Sequence, residues 1–135
     1  MFFTSLMLAT CLVAPITSLT DIPISIEQSV APIKQELSVP QTEWLAKLEK
    51  CESNGSTTIK VLDVNNKFSF SCLQFQAKTF LTQGVKYGLI ATSTKEVEPL
   101  IYNCELQYQL AHKMLLDGGE NHWKVCSSKL GKYPK

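Results

Sequence analysis

The chain contains no Cys-x-x-Cys pair, only two histidines, His112 and His122, and no run rich in Lys or Arg. Without clustered thiols or imidazoles there is no zinc-ligand spacing, so no metal site is expected. Thirteen basic side chains against twelve acidic ones leave a net charge of +1, with no stretch that would track phosphates. Nucleic acid is therefore excluded as a partner. Internal repeats and low-complexity segments are also lacking. At 135 residues the chain can bury one modest core but not two, which excludes a second catalytic domain.

Residues 1–20 carry no charged side chain and are dominated by Phe2, Phe3, Leu6, Met7, Leu8, Leu12, Val13 and Ile16. That is the pattern of a signal peptide or a membrane anchor. The run approaches the ~20 residues that span a bilayer, whereas Pro15 and several Ser and Thr favour a cleaved segment. No Lys or Arg precedes it, no small-x-small cleavage site stands out before Asp21, and Leu8-Ala9-Thr10-Cys11 only faintly resembles a lipoprotein box. A secreted, periplasmic or cell-envelope location is expected, with membrane attachment only through this segment. Beyond it lie Cys51, Cys72, Cys104 and Cys126, and an even count in a small exported chain points to two disulfides.

Residues 21–37 contain Pro23, Pro32 and only isolated apolar side chains, and read as a flexible linker. The folded domain is expected over 38–135. Ser38 with Gln41 makes a capping box, Pro40 suits a first helical turn, and Trp44, Leu45 and Leu48 follow at helical spacing. The spacing predicts a helix from about 40 to 51 or 52, ended by Asn54-Gly55. Two alternating stretches, 59–64 and 68–70, flank Asn65-Asn66 as a small β-hairpin. Helical spacing returns from about 73 to 85, and a long helix is predicted from about 96 to 116, stopped by Gly118-Gly119. A short helical turn is expected over 121–126. The fold class is thus a small α+β domain, mainly helical, with a hairpin at its cleft.

Cys51-Glu52-Ser53-Asn54-Gly55 places a carboxyl at the end of the first helix. Some twenty residues later comes Ser71-Cys72-Leu73-Gln74-Phe75, continued by Thr79-Phe80, and near the end of the chain Trp123-Lys124-Val125-Cys126. In this order the three segments resemble the lytic transglycosylase and goose-type lysozyme superfamily, most closely the resuscitation-promoting factor type of domain. There a Cys-Glu-Ser-Gly-Gly segment is followed by Gly-Leu-x-Gln or Gly-Gly-Leu-Gln-Phe and a late Trp-x-x-Cys. The first segment matches in four of five places, and the likeness covers 44–130.

The resemblance implies a lysozyme-like fold that binds the aminosugar strand of peptidoglycan, as a monomer and without metal or organic cofactor. It makes Glu52 the general acid, gives Ser53 the task of orienting it, and has Gln74 hydrogen-bond the sugar or its acetamido group. Phe68, Phe70 and Phe75 are expected near Glu52, where apolar surroundings raise a carboxyl pKa. Trp123 either stacks on a sugar or covers a disulfide. The likeness also implies that Cys51 pairs with Cys126, which leaves Cys72 with Cys104. A hydrolase normally needs a second carboxylate, and Asp63 is the only acid between Glu52 and Gln74. Asp63 is accordingly a candidate to face the substrate, or else a solvated strand residue. Lytic transglycosylases need no such partner, because the sugar's 6-hydroxyl closes onto the anomeric carbon.

The chain departs from the family pattern at three places. Asn54 and Cys72 replace glycines, and a bulkier Cys72 is expected to narrow the groove. A later Ala/Asn-Tyr motif has only a loose echo in Tyr102-Asn103. The expected function is glycan-strand cleavage by a lytic transglycosylase or muramidase. Its alternatives are a catalytically inactive peptidoglycan-binding or assembly module on the same scaffold, and a disulfide-stapled structural or inhibitory protein.

Overall fold

A computed structural model describes residues 36–135. The expected signal or anchor segment, and all but the last two residues of the expected linker, lie outside the described residues. Among the described residues no helix is long and apolar enough to cross a membrane. The domain is α+β, and among the described residues it has five α-helices and one three-stranded antiparallel sheet.

Helix α1 spans Val39–Ser53. Gln41 Oε1 accepts the Ser38 N–H at 3.0 Å, one half of the capping box, and satisfies a backbone donor that the first turn leaves free. Trp44, Leu45 and Leu48 face the core. Asn54 ends the helix in the left-handed region, φ 55°, a conformation that Asn tolerates better than most side chains.

Strand β1 (Lys60–Leu62) pairs with β2 (Phe68–Phe70), with Val61 opposite Ser69 and Leu62 opposite Phe68. A third strand absent from the sequence reading, β3 (Phe75–Gln76), pairs with the other edge of β2, with Ser69 opposite Gln76. It forms where a helix starting at about 73 is predicted. Helix α2 begins only at Ala77 and runs to Lys86. The delay has a tertiary cause. The Leu73 N–H donates to Gln107 Oε1 at 2.8 Å, and the Leu73 carbonyl accepts from Trp123 Nε1, also at 2.8 Å. Both backbone groups are thereby withdrawn from any helix, and Gln74 next to them is left-handed, φ 52°.

The predicted long helix is broken in two: α3 covers Glu98–Ile101 and α4 covers Cys104–Leu116. Asn103 interrupts them with an extended backbone and caps α4, its side chain accepting the Leu106 N–H at 3.1 Å. A 3₁₀ turn, Gly119–Trp123, enters through left-handed Gly118 and leads into α5, Lys124–Leu130, longer than the short turn expected. Disulfides join Cys51 to Cys126 and Cys72 to Cys104, each with Cα atoms 5.8 Å apart. Two disulfides are compatible with an extracytoplasmic protein.

The core is built from Leu45, Leu48, Leu73, Phe80, Leu110 and Leu115, all fully buried. Gly84 matters for packing: a Cβ there would lie 2.4 Å from Ile90 Cδ1, so only glycine lets the loop after α2 close over the helix. Tyr133 inserts between Trp44 and His112. Its ring meets Trp44 edge-on at 5.2 Å, and its hydroxyl lies 2.7 Å from His112 Nδ1. Gln41 Nε2 holds this tail by donating to the Pro134 carbonyl at 3.2 Å.

Candidate active site

Three junctions meet at one cleft: the end of α1, the sheet with the turn that precedes β3, and the 3₁₀ turn. They enclose a cavity of about 360 Å³, lined by Glu52, Asp63, Ser69, Gln74, Phe75, Gln76, Thr79, Asn121, His122 and Trp123. Of the residues singled out in the sequence, Glu52, Asp63, Gln74, Phe75 and Trp123 come together here; Ser53, Phe68, Phe70 and Tyr102 do not.

Glu52 is half-buried in the last turn of α1, and no described residue donates a hydrogen bond to it. Burial discourages its charged form and pushes its pKa above the ordinary 4.5, and the negative charge of Asp63 adds to the rise. Glu49, one turn earlier, fares differently. Its carboxylate accepts the Tyr108 hydroxyl, which ties α1 to α4. Burial, and then that hydrogen bond to Glu49, hold the Tyr108 phenol above its usual pKa.

Asp63 sits just after β1. Its Oδ2 accepts both the Ser69 hydroxyl and the Gln76 amide, the latter at 2.9 Å. Side chains alternate across a strand, so Ser69 reaches Asp63 and the cleft while Phe68 and Phe70 on either side of it point the other way. Those two aromatics are therefore not beside Glu52, contrary to expectation; of the three only Phe75 lines the cavity.

Gln74 closes the turn. Its Nε2 donates to the Ser71 carbonyl at 2.6 Å, and its backbone N–H donates to the same oxygen. Ser71 is also left-handed, φ 61°. Two non-glycine residues in this region cost of order 1–3 kcal/mol each unless the surroundings fix them. Gln107 does much of the fixing. Fully buried on α4, it accepts from the Leu73 N–H and donates to the Phe70 carbonyl at 3.1 Å and to the Ile101 carbonyl. Cys72 is fully buried against Cys104 and does not line the cavity, so it does not narrow the groove as expected.

Trp123 is 4 % exposed, its indole N–H spent on Leu73 and its ring edge-on to Phe75 at 5.2 Å. It forms a wall of the cavity rather than a free stacking platform. Ser53 is buried, and its hydroxyl bonds back to the Glu49 carbonyl at 3.2 Å, so it stabilises the helix end and does not reach the cleft. Tyr102 packs edge-on against Phe70 at 5.8 Å, outside the cavity. Among the described residues no group of three or more His, Cys, Asp or Glu is arranged to hold a metal ion.

Sequence reasoning missed Ser69, Gln76, Asn121 and His122, and quoted Thr79 within a motif without placing it in the cleft. Strand alternation from Asp63 and adjacency to Trp123 were the available signals. Gln107 had none, because a Gln in an amphipathic helix ordinarily reads as solvent-facing. Comparison with protein-family models, curated proteins and solved structures finds no match to this chain.

Proposed function

We propose that this chain cleaves the glycan strand of peptidoglycan on a small lysozyme-like scaffold, with Glu52 as general acid. The observation that carries the reading is one desolvated carboxyl, Glu52, sharing a polar cleft with one hydrogen-bonded carboxylate, Asp63. Glycosidic cleavage requires a proton delivered to the bridging oxygen while positive charge grows on the sugar ring. A Glu whose burial favours its protonated form supplies that proton. Asp63, fixed by Ser69 and Gln76 before any substrate arrives, offers negative charge to the developing cation without having to reorganise. The Gln74 side chain and the exposed Asn121 and His122 supply polar edges for sugar hydroxyl and acetamido groups.

The support is geometric: a helix end and a hairpin face each other across a groove of a size suited to sugar rings. Asp63 in that groove favours hydrolysis more than the sequence did, alongside closure by the sugar's own 6-hydroxyl. Mass analysis of muropeptides released from purified peptidoglycan, by the oxidised protein and by its Glu52→Gln variant, tests the reading. Reducing ends lost in the variant establish a muramidase, and anhydro ends lost in the variant establish a lytic transglycosylase. Blank traces from both proteins, with both disulfides intact, overturn the enzymatic reading; glycan affinity would then leave a binding module.

A further inference from the structure

The hairpin has a second face that the cleft does not use. Among the described residues six large apolar side chains are exposed, and three of them, Leu62, Val64 and Phe68, lie on this face or at its tip, while a fourth, Val61, stands opposite Ser69 on the cleft face of the same hairpin. Val64 at the tip is wholly exposed, and Leu62 and Phe68 stand opposite each other across β1 and β2, 56 % and 45 % exposed. Concentrated apolar exposure of this kind marks a surface that something covers.

The charges around the patch say what covers it. Lys60 Nζ lies over the Phe68 and Phe70 rings, 4.6 and 5.1 Å from their centroids. Lys67 and Lys78 line the adjoining groove of about 320 Å³, which no carboxylate lines. The hairpin's own acid, Asp63, is held toward the cleft by Ser69 and Gln76. The face is therefore apolar and fringed by three ammonium groups, with no carboxylate among the residues that line its groove. A glycan fits this face poorly, since Lys60 already occupies the ring faces on which a sugar would stack. A second copy in a two-fold pairing would bring lysines against lysines.

We infer that the β1–β2 hairpin seats in the interface of an anionic lipid bilayer. Val64, Leu62 and Phe68 enter the boundary between headgroups and acyl chains, while Lys60, Lys67 and Lys78 extend along them to the lipid phosphates. The cleft on the other face of the sheet is then held beside the membrane surface. This contact is separate from any attachment through residues 1–20, and it does not depend on what Glu52 does.

The test is local, so that attachment elsewhere in the full chain does not confuse it. Val64→Trp introduces an indole at the exposed tip, while native Trp44 and Trp123 are buried and give a constant background. Emission of the variant minus that of the parent is read on phosphatidylglycerol-rich vesicles carrying doxyl-labelled lipid. The expected result is a blue shift with quenching, weakened by salt. Adding Lys60→Gln or Lys67→Gln lowers the ratio of seated to free hairpin about fivefold per lysine, the equivalent of ~1 kcal/mol each at an anionic surface. No shift or quenching, in a variant whose circular dichroism matches the parent, overturns the inference. An equal response on neutral phosphatidylcholine overturns it as well. A shift produced without lipid, by raising the protein concentration or by adding glycan, overturns it too and assigns the face to a second copy or to the glycan.

Discussion

Glu52 and His112 are both titratable side chains that burial discourages from carrying charge, one lining the cleft and the other packed against Tyr133 of the C-terminal tail. The shared cause acts with opposite sign: desolvation raises the pKa of the acid, whereas for the base desolvation, followed by the nearby positive charge of Lys113, lowers it. Their surroundings differ more than their chemistry. Glu52 opens onto a cavity of about 360 Å³, while His112 is 3 % exposed, sealed under Tyr133 and the C-terminal tail. A group with a shifted pKa serves chemistry only where a ligand reaches it. In a sealed site the same shift is felt solely as stability.

The strongest challenge to that contrast is Glu52→Gln. Cleavage of purified peptidoglycan is expected to fall by roughly 10²–10⁴-fold, the usual contribution of a positioned acid, without loss of thermal stability. Breaking the Cys51–Cys126 disulfide by paired Ser substitutions should cost about 4 kcal/mol in urea unfolding, because the bridge closes a separation of 75 residues. It should also lower activity, since Cys51 is next to Glu52. Gln107→Leu strands the Leu73 N–H and the Phe70 and Ile101 carbonyls, at about 3 kcal/mol in the same assay.

The smallest effects lie in the pH dependence, and they sharpen the contrast most. For His112 the folded pKa lies below 6.5, so its contribution to stability is complete above pH 6.5 and is lost as pH falls through the folded value. His112→Leu should cost about 1 kcal/mol at neutral pH by leaving the Tyr133 hydroxyl unpartnered, and should flatten that acid limb in melting curves. For Glu52 the folded pKa lies above 4.5, so stability is complete below pH 4.5 and declines as pH rises through the folded value. Glu52→Gln should therefore melt higher than the parent at alkaline pH, and the two should converge below pH 4.5.

Local signals were legible in the sequence, and tertiary decisions were not. The capping pair Ser38 and Gln41, the stop at Asn54 and the hairpin around Asn65-Asn66 each depend on residues within a few positions of one another. Glu52, Asp63, Gln74 and Trp123 share one cavity because the ends of these local elements meet. What stayed hidden was set across the fold. Leu73 looks like the first residue of a helix until Gln107 and Trp123, 34 and 50 positions away, take its two backbone groups. The apolar period from 96 to 116 runs through Asn103 without a break, because periodicity records which side chains are apolar and not where a cap interrupts the backbone. Phe68 and Phe70 were assigned to the wrong face because the choice of buried face turns on register, and Ser69, not its neighbours, reaches Asp63.

The bridge between Cys51 and Cys126 gives the two walls of the cleft a common anchor. Glu52 follows one half-cystine and Trp123 precedes the other by three residues. Measured through the bridge, acid and indole are close neighbours, although 71 positions separate them along the chain. The bridge therefore ties these two walls together and limits how far the groove can widen by drawing them apart. The excursion between them is correspondingly free to vary. A hairpin lengthened at Asn65-Asn66 would deepen the groove or change its reach toward a surface, with the spacing of acid and indole left as it is.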